Sequence, residues 1–277
     1  MSKPIVAIMY DFDKTLSTTD MQNYGFIPAL GMTPSEFWGS TGEFSKKTGC
    51  ERILSYMYMM IIKAREKGIR LTRDFLKECG KSIKYHPGVT TWFDRINTYG
   101  NQKGVIVEHY LVSSGTKEIL EGCSIYDQFT NVYGCEFLYD ENGLPVWPKL
   151  AINYTQKTQF FFRIAKGVYD LADDNSVNEK NVKGLRVPYT NIVYIGDGMT
   201  DVACMTLVNK NRGYSIGVYT DENKESVAQI RNDNRCRFVV KADYSQDRDM
   251  EKVLKLIIDD VSNRYILEQK EKALANK

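Results

Sequence analysis

Residues 5–10 form a continuous apolar run, rich in branched side chains, that stops abruptly at Asp11-Phe12-Asp13-Lys14-Thr15. A short run of this kind predicts a strand buried on both faces. Similar runs at 105–112, 132–138, 191–195, 214–218 and 238–240 predict five more strands. Between them the apolar period lengthens to that of helices. The clearest are 51–67, rich in Met, Tyr and Ile, and 247–269, where Met250, Val253, Leu254, Ile257 and Val261 recur at helical spacing. Thr72 reads as the N-cap of a further helix, with Asp74 and Phe75 in its first turn. Shorter helices are expected at 89–99, 116–122, 155–171, from Asp201, and at 222–231. Asp140-Glu141-Asn142-Gly143 should turn a hairpin. The aromatic, glycine-punctuated stretch 37–49 reads as a loop, 173–190 as a polar inserted loop, and the last eight or so residues as a frayed end.

Strands alternating with helices after residue 87 predict an α/β protein with a doubly wound, mainly parallel, Rossmann-like sheet. The stretch 17–86 interrupts that alternation with helices alone. The expected organisation is therefore a core of 1–16 and 87–277, with 17–86 as a helical module over the carboxyl ends of the strands, where it can close on a ligand. No internal repeat or low-complexity segment is visible.

Composition narrows the class without naming a chemistry. The 277 residues are 43% hydrophobic and 26% charged, ordinary for a globular chain. A net charge of +2 argues against nucleic-acid or membrane partners. No apolar run approaches the roughly 18 residues that a membrane span needs, and the amino terminus does not read as a signal peptide. The six cysteines are scattered without a CxxC pair, which points to reduced thiols and a cytoplasmic location.

The acids carry the chemistry. Asp11 and Asp13 stand two apart at the end of the first strand, so their side chains can serve one reacting group. In a parallel sheet that end is where ligands bind. A second acidic turn, Gly196-Asp197-Gly198-Met199-Thr200-Asp201, follows the 191–195 strand, its glycines expected to let the loop approach an ion closely. Two strand ends tipped with carboxylates suggest a hard-cation site handling phosphate. Ser113-Ser114-Gly115 closes the 105–112 strand and offers a hydroxyl and free amides for an anion.

Taken together and in order, Asp11-Phe12-Asp13-Lys14-Thr15, Leu111-Val112-Ser113, Lys157 and the Gly196–Asp201 turn resemble the four motifs of the haloacid dehalogenase superfamily. The resemblance spans nearly the whole chain and is narrowest to its phosphoserine-phosphatase-like group with a helical cap. It implies Asp11 as nucleophile and Asp13 as general acid and base. It implies Mg²⁺ held by Asp11, the backbone carbonyl of Asp13, and Asp197, with Asp201 completing or orienting the shell. Ser113, with Ser114 as the alternative hydroxyl, and Gly115 would hold phosphate. Lys157 would neutralise charge, Lys166 being nearer Asp197 in sequence but deeper in its helix. Phosphoserine phosphatases carry an acid, usually Glu, nine positions after the nucleophile. Asp20 stands there, and Arg52 is the one suggestion for an arginine holding a substrate carboxylate.

Other phosphate chemistries fail on the residues. No cysteine has an arginine six positions later, and two histidines are too few for a histidine-rich metal site. Gly80-Lys81-Ser82 has Phe75 where a P-loop needs glycine, and Gly196-Asp197-Gly198 has Asp201 where a dinucleotide fingerprint needs its third glycine. Asp13 favours phosphate esters over carbon–halogen bonds. The expectation is a Mg²⁺-dependent phosphatase acting on a small phosphorylated metabolite. A phosphomutase with the same residues, or a retired fold that only binds a phospho-ligand, are its rivals.

Overall fold

The computed structural model describes residues 3–180 and 184–275. Part of the loop expected at 173–190 and the last two residues of the expected frayed end lie outside the described residues. Seven strands form one sheet: β1 (Ile5–Tyr10), β2 (Ile106–Thr116), β3 (Asn131–Tyr139), β4 (Pro145–Leu150), β5 (Ile192–Gly196), β6 (Tyr214–Tyr219) and β7 (Phe238–Lys241). Their order is β4-β3-β2-β1-β5-β6-β7. All neighbours are parallel except β3 and β4, which form the hairpin expected around 140–143. The apolar run of β1 makes it the central strand, and Val6 to Tyr10 have no solvent exposure. This is the α/β doubly wound sheet expected from the alternation.

Four helices, α1 (Phe26–Ala29), α2 (Pro34–Thr48), α3 (Arg52–Glu66) and α4 (Arg73–Gly80), fill the stretch between β1 and β2, ahead of α5 (Val89–Gln102). The stretch leaves and rejoins the sheet side by side. Ser17 bridges Tyr85, Thr18 N donates to Lys84 O at 3.0 Å, and His86 N donates to Leu16 O at 2.9 Å. Thr72 caps α4 as expected, accepting from Phe75 N at 3.1 Å. The helix α2 corrects the loop expected at 37–49. Its start signal is Thr33-Pro34-Ser35-Glu36, a capping box in which Thr33 Oγ1 and the Glu36 carboxylate bond each other's backbone amides. Such a cap is worth about 1 kcal/mol, comparable to the cost of one interior glycine. Gly39 and Gly42 add no clash, and Gly49, left-handed at φ 72°, ends the helix.

After β2 come α6 (Lys117–Leu120), α7 (Thr158–Lys166), α8 (Asp174–Asn178), α9 (Val202–Lys210), α10 (Lys224–Asn232) and α11 (Asp249–Ala275). The helix expected over 155–171 is shorter because Gly167, at φ 75°, caps it. The inserted stretch contains α8, capped by Asp173. The expected fraying is absent through Ala275, since α11 continues to that residue. Among the described residues no helix is long and apolar enough to cross a membrane.

Candidate active site

Sheet register places the acids. Tyr10 pairs with Leu111 on one side and Ile195 on the other, so β1, β2 and β5 end together. Asp11 N donates to Ile195 O at 2.9 Å, which fixes the first residue past β1 against the last turn of β5. The strand order reverses at this point, the usual place for a ligand crevice in an open α/β sheet. Asp11, Asp13, Ser113 and the Gly196–Asp201 loop therefore share one edge.

Lys157 joins them from the start of α7. Its Nζ lies 2.6 Å from Asp11 Oδ1 and 2.9 Å from Asp201 Oδ1. The lysine is only 1% exposed, and Asp201 not at all. Lys166 is elsewhere, its ammonium donating to Val177 O and Glu179 O. Burial disfavours the Lys157 ammonium, but attraction to Asp11 and Asp201 outweighs it and raises its proton affinity.

The four aspartates are not equivalent. Burial is the main force raising the Asp11 carboxyl, to about 6, with Lys157 pulling it down and Asp201 pushing it up. Burial, then repulsion from Asp20 and Asp11, holds the Asp13 carboxyl well above the ordinary carboxylate range, although Met21 N donates to its Oδ1 at 2.7 Å. Burial, then Asp201 and Asp11, raises Asp197 to about 8. Asp201 is saturated: its Oδ1 accepts from Lys157 and from the Tyr194 hydroxyl at 2.7 Å, and its Oδ2 from the amides of Asp197 and Gly198 at 3.1 and 3.3 Å. Asp201 thus pins the acidic loop and the lysine together.

Carboxylate oxygens of Asp11, Asp197 and Asp201 lie within 4.8 Å of one another, a hard-oxygen donor set that fits a divalent cation such as Mg²⁺. The pressure on Asp197 to hold a proton fits too, because a cation there would relieve the repulsion that raises it. The glycines need a different reading from the sequence. A Cβ on Gly196 would sit 2.5 Å from Asp201 Cγ, so that glycine makes room for the carboxylate, while Gly198 faces open space.

Ser113 and Gly115 belong to β2 itself, which runs to Thr116 with a register shift beyond Val112, so this segment is irregular strand rather than a turn opening a helix. Ser113 Oγ accepts from Gly115 N at 2.9 Å, leaving its hydrogen for another acceptor. A Cβ on Gly115 would meet Met21 Cε at 2.0 Å and Asp13 Oδ2 at 3.2 Å, so glycine lets β2 close against Asp13. The Ser114 carbonyl accepts from the Tyr56 hydroxyl at 2.7 Å, tying α3 to the strand end. Asp20 pairs with Lys14 at 3.2 Å, and Arg52 is exposed at the start of α3.

Three positioning groups escaped the sequence reading. Tyr194 sits inside an apolar strand and looked like core. Asn223, whose Nδ2 holds Asp197 O at 2.9 Å, lies in a loop with no motif. Tyr244, whose hydroxyl donates to Thr15 O at 2.9 Å, comes from beyond β7.

The chain has counterparts among known proteins. The haloacid dehalogenase-like hydrolase family matches residues 8–206, and the chain belongs to that family. An uncharacterized protein of Borreliella burgdorferi is 27% identical over 271 residues, covering 87% of this chain and 92% of the relative. Among solved structures, a phosphoserine phosphatase captured as a phospho-aspartyl intermediate analogue superposes with a TM-score of 0.53 at 14% identity, over 92% of this chain and 99% of that one. A probable phosphoserine phosphatase of Vibrio cholerae gives 0.60 at 12% identity, over 95% and 67%. A HAD family hydrolase of Salmonella enterica serovar Typhi gives 0.55 at 16% identity over 80% of this chain, which spans 66% of that hydrolase. These likenesses show a shared fold.

Proposed function

We propose that the protein is a Mg²⁺-dependent phosphatase that hydrolyses a small phosphomonoester through an aspartyl-phosphate on Asp11. The observation that carries this reading is the different surroundings of two neighbouring carboxyls: Lys157 Nζ lies 2.6 Å from Asp11 Oδ1, while Asp13 Oδ1 accepts from the Met21 amide at 2.7 Å. Burial raises both carboxyls: Asp11 to about 6, with Lys157 pulling it back down, and Asp13 well above the ordinary range, with repulsion from Asp20 and Asp11 adding to the rise. Two acids pushed apart by their surroundings are the pattern of an acid/base pair.

In this mechanism an Asp11 carboxylate oxygen attacks phosphorus as the ester P–O bond breaks, and Asp13 gives its proton to the leaving oxygen. Asp13, now a carboxylate, takes a proton from the water that attacks the phosphorus of the intermediate, and Asp11 and inorganic phosphate are released. Lys157 offsets negative charge on Asp11 and the transferring group. Ser113 and the backbone around Gly115 hold phosphate oxygens. Asp11, Asp197 and the Asp13 carbonyl would hold Mg²⁺, with Asp201 orienting them, and the ion when bound supplies charge neutralisation between two anionic reactants.

The helices of 17–86 form the substrate-selecting cap of a 1–16 and 87–277 core. Support comes from the paired crossing at Ser17 and Tyr85 and from the reach of Tyr56 to Ser114. Asp20, one methylene shorter than the Glu usual at that position in phosphoserine phosphatases, argues for a substrate other than phosphoserine. The test is phosphate release from a panel of phosphorylated metabolites, comparing wild type with Asp11→Asn. Turnover that requires Mg²⁺ and disappears in Asp11→Asn is expected. Equal turnover by the variant would overturn the mechanism, and transfer to a second sugar hydroxyl in place of water would make the protein a mutase.

A further inference from the structure

At the opposite edge of the sheet, where β5, β6 and β7 begin, the surface sinks into a cavity of about 1010 Å³. Four arginines line it, Arg212, Arg231, Arg237 and Arg264, against one carboxylate, Asp260. The whole chain carries a net charge of only +2, so this is a local concentration of positive charge. The six residues of β6 separate this edge from the edge that bears the acidic loop, about 20 Å at 3.3 Å per residue.

The charges do not cancel within the cavity. Arg264 Nε donates to Asp260 Oδ2 at 3.0 Å, and the Tyr214 hydroxyl donates to the same oxygen at 2.6 Å. Asp260 is thus held mainly by Arg264, with Arg237 close enough to add to its stabilisation, and a single carboxylate faces four guanidinium groups. Arg237 gives one N–H to Gly213 O at 2.8 Å and lies over the Tyr214 ring, 4.5 Å from its centroid, and among the described residues its guanidinium has no other hydrogen-bond acceptor. Arg212 and Arg231 are exposed and pair with no protein group among the described residues. Both lie at helix carboxyl ends, of α9 and α10, where a cation offsets the dipole. Each helix end carries about half a negative charge, so the two together balance one guanidinium of the three. Those ends are also closed by their own backbone, through Gly213 N to Val208 O at 2.9 Å and Arg235 N to Ile230 O at 3.0 Å.

A second, apolar cavity of about 230 Å³ adjoins the first, sharing Tyr214, Phe238 and Asp260 with it. Its remaining wall is Val253, Leu256 and Ile257 of α11, and Leu256 is 69% exposed. Guanidinium forks match phosphate oxygens in geometry as well as charge. The larger cavity is at the upper end of the range that small ligands occupy, about 300–1,000 Å³. A bare phosphate would leave the apolar annex unused.

We propose that this edge is a second ligand site for an organic polyphosphate of nucleotide size, with phosphates on Arg212, Arg231 and Arg237 and a ring against Tyr214, Phe238 and Leu256. The test is titration calorimetry of the full chain with ATP, in EDTA and at an ionic strength of about 0.15 M to suppress loose surface contacts. Arg212→Ala/Arg231→Ala should weaken ATP binding at least about tenfold, because charge-assisted hydrogen bonds are lost. That variant removes no side-chain hydrogen bond or ion pair among the described residues, so its turnover of phosphomonoesters should match wild type and its stability should fall by no more than the two helix-end interactions supply. Leu256→Glu should weaken ATP as well, whereas Asp197→Asn, at the other edge, should bind it normally. No binding by wild type at millimolar ATP would overturn the proposal, as would unchanged binding by the double arginine variant. Loss in Asp197→Asn instead would return the ligand to the acidic site. Tripolyphosphate binding as tightly as ATP would overturn the ring contact.

Discussion

Lys157 Nζ stands 2.6 Å from Asp11 Oδ1, although 146 positions separate the two residues in the chain. The contact is buried, and a second carboxylate, Asp201, shares the ammonium. Removing a partner from such a cluster leaves uncompensated buried charge. Lys157→Met should therefore cost about 3–5 kcal/mol of stability in metal-free protein, read by urea unfolding in EDTA. Phosphatase turnover should fall by about 10²–10³-fold. A loss of stability below 1 kcal/mol, roughly the value of an exposed pair, would show that the cluster is not held by charge.

Asp13→Asn separates the two proton transfers. With p-nitrophenyl phosphate the leaving group needs no proton, so Asp11 should still be phosphorylated, and hydrolysis of the intermediate should become limiting. The expected signature is one equivalent of p-nitrophenol released per enzyme in a rapid burst, followed by turnover about 10²-fold or more below wild type. With alkyl phosphates the burst itself should vanish. A variant equally active on both ester classes would remove Asp13 from the acid role.

Metal linkage gives a readout independent of activity. If Asp11 and Asp197 hold Mg²⁺ in the folded protein only, saturating the site a hundredfold above its Kd adds about 2.7 kcal/mol to the unfolding free energy. The thermal midpoint should rise with Mg²⁺ in wild type and stay flat in Asp197→Asn. An equal rise in both would place the ion elsewhere.

His109 sets a pH dependence apart from the site. Its Nδ1 accepts from the Tyr10 hydroxyl at 2.9 Å, which itself accepts from Trp92 Nε1, and its Nε2 donates to Asn97 Oδ1 at 3.1 Å. No charged group takes part, and burial alone holds the imidazole down to about 3. The unfolded chain binds a proton near 6.5 that the folded chain refuses, so stability is full above that pH and falls as the pH drops toward 3. The slope from this residue is about 1.4 kcal/mol per pH unit. His109→Gln should flatten the stability profile between about pH 6 and 4 by that slope, measured as denaturation midpoints of both proteins across the range. Parallel profiles would mean that the imidazole protonates in the folded state.

The strands were legible because each is a compact apolar run, and the acids because they interrupt such runs. The start of α2 is legible as well, in the capping box of Thr33 and Glu36, but Gly39, Gly42 and the aromatic residues around them mask the helix that follows. Tyr194 shows the limit of a one-dimensional reading. Nothing in its run separates a tyrosine that only fills space from one whose hydroxyl meets Asp201. Gly196 stands in the acidic turn that the sequence marks, but what its missing side chain makes room for, Asp201 five residues later, is visible only in three dimensions. Asn223 and the arginine cavity depend on loops brought together by the sheet, and no local spacing announces either.

The central strand is also the first one made. Ile5 finds its sheet partner at Ile106, and Ala7 its other partner at Ile192. At a synthesis rate of 5–20 residues per second, β1 waits on the order of 5–20 s for the first neighbour and about twice that for the second. Through that interval one of the most apolar segments of the chain, bearing Asp11 at its tip, has neither edge paired with its neighbour in the sheet. Slowing translation between β1 and β2 should therefore lower the soluble yield more than slowing it after β5.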